Sequence, residues 1–124
     1  MDASGATLYG TWRSYDGSLS VISDQNLKHD IRTLSSQYAL FFDNIHPVTY
    51  KYNNGTSDRN HIGFIAQEVK QALDVAEIDS KDFAGLVILN KDTENEQWTL
   101  RYSEFIALNT AEIQKLKTRV NSLE

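Results

Sequence analysis

The chain has no cysteine and a single proline, Pro47. The first absence removes disulfides and thiolate metal sites. Histidine is also scarce: His29, His46 and His61 lack the spacing of a ligand set, so a zinc site is rejected and no metal is expected. No run of about 18 apolar residues occurs, so no segment is expected to cross a membrane. A surplus of positive charge is missing too. The net charge is −5, which argues against a nucleic-acid partner. The one locally basic stretch, Lys115, Lys117 and Arg119, lies between Glu112 and Glu124 and reads as a solvated helix face. There is no G-x-x-x-x-G-K pattern, hence no phosphate loop. Met1 leads into the polar Asp-Ala-Ser-Gly, so no signal peptide is visible, and the chain reads as a piece of a longer protein.

What is present fits one domain with small appendages. The 124 residues are 40% hydrophobic and 23% charged, near the norm for a globular chain. Residues 1–22 differ in character: Thr7-Leu8-Tyr9-Gly10-Thr11-Trp12 alternates as a strand does, Asp16-Gly17 signals a turn, and Leu19, Val21 and Ile22 suit a returning strand. So small a hairpin buries little alone, and it reads as the end of a larger β-structure.

A new pattern begins at Ser23-Asp24. Either residue suits the cap of a short helix carrying Leu27, Ile31 and Leu34 on one face. Gln37 to Ile45 reads as a packed helix stopped by Pro47. Residues 48–52 alternate as a strand, Asn53-Asn54-Gly55 turns, and His61 to Phe64 resumes extended. Gln67 to Leu73 reads as a short helix. Phe83 to Leu89 and Trp98 to Tyr102 read as an antiparallel hairpin across a charged turn.

From Ser103, a plausible N-cap, the pattern is helical to the end. Ile106, Asn109, Ile113, Leu116, Val120 and Leu123 recur at alternating spacings of three and four, the repeat of a coiled-coil seam. A polar residue such as Asn109, or its neighbour Thr110, in a seam fixes register and oligomer number. The fold class expected is therefore α+β: short helices and antiparallel hairpins, then a long C-terminal helix over 103–124.

Ser23 and Lys28 carry the candidate chemistry. A serine hydroxyl needs a base to attack at neutral pH, and a lysine serves when desolvation or nearby charge frees its amine. The carbonyl before Ser23 belongs to Ile22, so attack there would cut Ile22–Ser23. By itself this spacing of five is unspecific, and an N-cap serine with a surface lysine explains it as well.

Four ordered motifs raise its weight. Ser23-Asp24-Gln25-Asn26-Leu27-Lys28-His29-Asp30-Ile31 resembles the S-D-x-x-L-K-x-x-I opening of the intramolecular chaperone of endosialidase type, the peptidase S74 domain. Ile45 to Tyr52 resembles its "hPvxYxy" strand, His61 to Val69 its "GfiAQEv" motif, and Leu100 to Leu108 its "Yse-xxal" entry to the last helix. The resemblance implies a C-terminal domain of a phage tail spike, tail fibre or neck appendage. Such a domain trimerises the upstream β-stem and then releases itself, in the host cytoplasm during virion assembly. It implies Ser23 as nucleophile and Lys28 as general base, residues 1–22 as stem and 23–124 as the released chaperone, a homotrimer needing no cofactor. Asp24, Asp30, His61, Gln67 and Glu68 are possible supporting residues. Nucleotide binding stays open for relatives; no motif for it stands here. Also open are whether Lys28 acts on its own chain or a neighbour's, whether cleavage passes through an ester, and whether the module only trimerises and adheres at a fibre tip without cutting.

Overall fold

The computed structural model describes residues 20–55 and 57–123. The proposed hairpin around Asp16-Gly17 lies outside them. The chain divides into two units, Met1–Thr33 and Leu34–Glu124.

In the N-terminal unit, the described residues 20–33 are all exposed and contain a single 3-10 turn, Gln25–Leu27. The expected helix through Leu27, Ile31 and Leu34 is absent. Asp24, not Ser23, is the cap: its carboxylate accepts from the Asn26 N–H at 2.9 Å. The turn closes with the Lys28 N–H donating to the Gln25 carbonyl at 3.2 Å, and Lys28 itself is extended. Asp30 then takes a left-handed φ of 53°, which no α-helix can accommodate. Leu27 and Ile31 remain exposed, so burial offers a helix here no stabilisation.

The C-terminal unit begins with helix α1 (Ser36–Asn44), ended before Pro47 as expected. Strands β1 (Val48–Tyr50) and β2 (His61–Gly63) form an antiparallel pair in the register Val48↔Gly63 and Tyr50↔His61. β1 is two residues shorter than the alternation suggests, because the chain turns at Asn53-Asn54 and the Gly55 N–H donates to the Tyr52 carbonyl. Helix α2 (Ala66–Val75) follows. Its end is a Schellman closure: Ile78 N–H donates to the Leu73 carbonyl at 2.9 Å and Glu77 N–H to that of Asp74 at 3.1 Å. Glu77 stands at φ 58°, where glycine is the usual choice. The Gln37 side chain donates to the Ala76 and Glu77 carbonyls, both at 3.2 Å, tying α1 to this helix end.

Strands β3 (Leu86–Leu89) and β4 (Gln97–Leu100) form the second antiparallel hairpin, with Leu86↔Leu100 and Ile88↔Trp98 paired. Both are shorter than expected: Phe83 closes a 3-10 turn (Ser80–Asp82), and Tyr102 opens another (Tyr102–Phe105). Ser103 therefore lies inside a turn and is not the cap of helix α3 (Ile106–Ser122).

Phe41 and Leu73, with no exposed surface, centre the core, and Val69, Phe83, Leu86, Phe105 and Leu108 close around them. The rings meet edge-on or tilted: Phe41–Phe83 at 5.2 Å and Phe83–Phe105 at 5.6 Å between centroids. Such contacts add about 0.5–1.5 kcal/mol each beyond area burial. Tyr38 packs at the rim, where burial and then the Asp82 charge raise the pKa of its hydroxyl. The fold is thus α+β, with two hairpins and a C-terminal helix. Among the described residues no helix is long and apolar enough to cross a membrane, and no cluster of potential metal ligands occurs.

Candidate functional site

The 3-10 turn explains the five-residue spacing between Ser23 and Lys28. One turn held by Asp24 separates them, and the extended Lys28 folds its side chain back, so that Nζ donates to Ser23 Oγ at 2.7 Å. Both residues are exposed. Ile22, whose carbonyl is the candidate target, is exposed as well. Serine, amine and adjacent peptide bond thus meet within one chain. To act as a base on Ser23, Lys28 must accept the hydroxyl proton along this contact.

The possible supporting residues fall in both units. Asp24 caps the turn and so sets the approach of Lys28 to Ser23. The Asp30 carboxylate lies 4.0 Å from His29 Nε2, with both side chains largely exposed. His61, Gln67 and Glu68 belong to the C-terminal unit. The His61 ring stacks on Tyr50, with centroids 5.5 Å apart and planes 22° apart, and meets Tyr52 edge-on at 5.0 Å. Glu68 Oε1 is 3.7 Å from His46 Nδ1, linking α2 to the residue before Pro47. Gln67 lines a cleft of about 530 Å³ walled by Tyr50, Tyr52, Trp98 and Tyr102.

Two of the sequence motifs touch. The Tyr102 hydroxyl accepts from the Phe64 N–H at 3.1 Å and lies 3.4 Å from the Phe64 carbonyl, to which it donates. A methyl group on Gly63 would overlap that hydroxyl and displace it, so glycine permits the close approach. Tyr50 and Tyr52 hydroxyls are 3.4 Å apart. That hydrogen bond, helped by partial burial, holds Tyr50 protonated well above the usual tyrosine range. Sequence reasoning missed this cleft; the alternating aromatics at 48–52 and 98–102 were its visible signal.

On α3, Leu108 is buried, whereas Ile106, Ile113, Leu116, Val120 and Leu123 are 65, 63, 59, 58 and 85% exposed. Asn109 lies in the same exposed row. The helix therefore packs by its N-terminal part and presents an unpartnered apolar stripe along the rest.

A family model described as chaperone of endosialidase, Peptidase_S74, matches residues 23–77, beginning at the serine that Lys28 contacts. Over those residues, less than half of its length, the chain is similar to the chaperone of endosialidase family. A solved structure described as a novel intramolecular chaperone is similar over 78% of this chain and 99% of its own, with a TM-score of 0.66 and 18% identity. At that identity the likeness speaks for the fold. No curated protein matches the chain.

Proposed function

We propose that this chain is the C-terminal intramolecular chaperone of a phage-type tail spike or fibre, which trimerises its upstream β-stem and then cuts itself free at Ile22–Ser23. The observation that carries the reading is the 2.7 Å approach of Lys28 Nζ to Ser23 Oγ at the first residue of the family match. The neutral amine of Lys28 takes the Ser23 hydroxyl proton as Oγ attacks the Ile22 carbonyl carbon. The Ile22–Ser23 C–N bond breaks, and the departing nitrogen takes the proton from the Lys28 ammonium. Water then hydrolyses the resulting ester, leaving Ile22 as a carboxylate and Ser23 as a new N-terminus. Both side chains come from one chain, which supports cleavage in cis.

Assembly supplies what the single chain lacks. The exposed row on α3 follows the a/d repeat, and three copies joined through it would bury the stripe, with Asn109 fixing register. A trimer also concentrates three stems in parallel, which favours slow, non-local β-assembly. Cutting afterwards removes the chaperone and leaves the stem kinetically trapped. The host cytoplasm is the place for both steps, with no cofactor, nucleic acid or membrane involved.

Intact-mass spectrometry tests this. The wild-type chain should give two fragments meeting at Ile22–Ser23, while Ser23→Ala and Lys28→Ala chains stay whole. Equal persistence of the wild-type and Ser23→Ala chains under trimerising conditions would contradict it. The full exposure of the dyad in the single chain favours a second reading, a trimerisation or adhesion module that never cuts. A stable, uncleaved wild-type trimer would be its signature.

A further inference from the structure

The aromatic cleft of the C-terminal unit has no part in the Ser23–Lys28 chemistry. Its walls come from three separated segments: Tyr50 at the end of β1 with Tyr52 just beyond it, Gln67 at the start of α2, and Glu96, Trp98 and Tyr102 before, in and after β4. At about 530 Å³ it falls within the roughly 300–1,000 Å³ typical of ligand sites. Tyr50 and Tyr52 meet edge to face at 87° with centroids 5.4 Å apart, and the His61 ring stacks on Tyr50. Glu96 is the sole charged residue of the lining, and its carboxylate has no ion-pair partner among the described residues. No lysine or arginine lines the cleft, so phosphates, sialates and other anions find nothing to pair with.

We propose that this cleft binds the arginine side chain of an extended peptide, the guanidinium lying against the ring faces and paired with Glu96. Aromatic faces attract cations through their quadrupoles, with tryptophan strongest. A planar guanidinium both stacks on rings and donates to a carboxylate in a fork, whereas a lysine ammonium does only the second well. A neutral sugar would use the rings but leave the carboxylate without a counter-charge. The chain's negative balance of −5 adds long-range attraction for a basic partner. The Gln67 amide supplies a neutral donor and acceptor for the peptide backbone.

The test is titration of the full chain while following the Trp98 indole N–H by NMR. The cleft lies wholly within Leu34–Glu124, so cleavage at Ile22–Ser23 does not affect the outcome. Acetyl-Gly-Arg-Gly-amide should shift the Trp98 resonance saturably, and its neutral citrulline isostere should bind about tenfold more weakly. Glu96→Gln, on an exposed turn, should keep the circular dichroism of the parent and weaken the arginine peptide about fivefold. Equal binding of the citrulline peptide, an undiminished Glu96→Gln chain, a response to maltotetraose but not to arginine, or no saturable shift with any probe would each overturn the proposal.

Discussion

Residues 20–33 and residues 34–108 differ in what holds them. The first segment has no buried side chain, and its order rests on one capped 3-10 turn. The second gathers Phe41, Phe83, Phe105 and Leu73 into a close-packed aromatic centre. The candidate chemistry stands on the first, while the stability of the fold stands on the second. Substitutions should therefore separate cleanly: those in the core unfold the protein, and those at the dyad silence it without changing its stability.

The largest effect should come from Phe41→Ala. Emptying the centre of the core costs about 3–5 kcal/mol, a large part of a small domain's stability. Ser23→Ala should abolish cleavage and move the denaturation midpoint by no more than about 0.5 kcal/mol. A Ser23→Ala chain as unstable as Phe41→Ala would break the comparison.

Next is the free end of α3, which behaves like the first segment although it continues the second. Leu116→Asp puts a charge into the proposed seam at a position that is largely exposed in the single chain. Sedimentation equilibrium should show the wild type as a trimer and Leu116→Asp as a monomer, with thermal unfolding of the monomer's aromatic core retained. A monomeric wild type would remove the seam from the account.

Smaller effects sharpen the picture inside each region. Gly63→Ala forces the Tyr102 hydroxyl away from the Phe64 backbone and should cost about 1–3 kcal/mol by chemical denaturation. Glu77→Gly should stabilise by about 0.5–1 kcal/mol, because the left-handed helix end no longer carries a side chain. The smallest effect concerns pH. Tyr50 has its proton affinity raised by Tyr52, so its contribution to stability is complete below the ordinary tyrosine value of 10.0 and is lost as pH climbs past it. Thermal melts from neutral to strongly alkaline pH should show a steeper alkaline loss for the wild type than for Tyr52→Phe.

Much of this architecture was legible from residue patterns. The helix before Pro47, the strand after it, the hairpin around the charged turn and the terminal helix all follow from periodicity and chain breakers. The approach of Lys28 to Ser23 was legible as well, but through the wrong local structure. A helix from Ser23 suits the apolar spacing of Leu27, Ile31 and Leu34, yet Asp24 captures the Asn26 amide and Asp30 turns left-handed, so the chain makes a single tight turn. Periodicity reports an apolar face; it does not report whether anything in the same chain covers it. The aromatic cleft was illegible for a different reason. Its residues are spread from Tyr50 to Tyr102, and only the folded chain brings them together.

The most direct measurement is N-terminal sequencing of the larger fragment released by the wild-type chain. The account predicts a single new terminus reading Ser-Asp-Gln-Asn-Leu-Lys, present in the wild type and missing from Lys28→Ala. A different first residue, or a chain that keeps its original terminus throughout assembly, would contradict it.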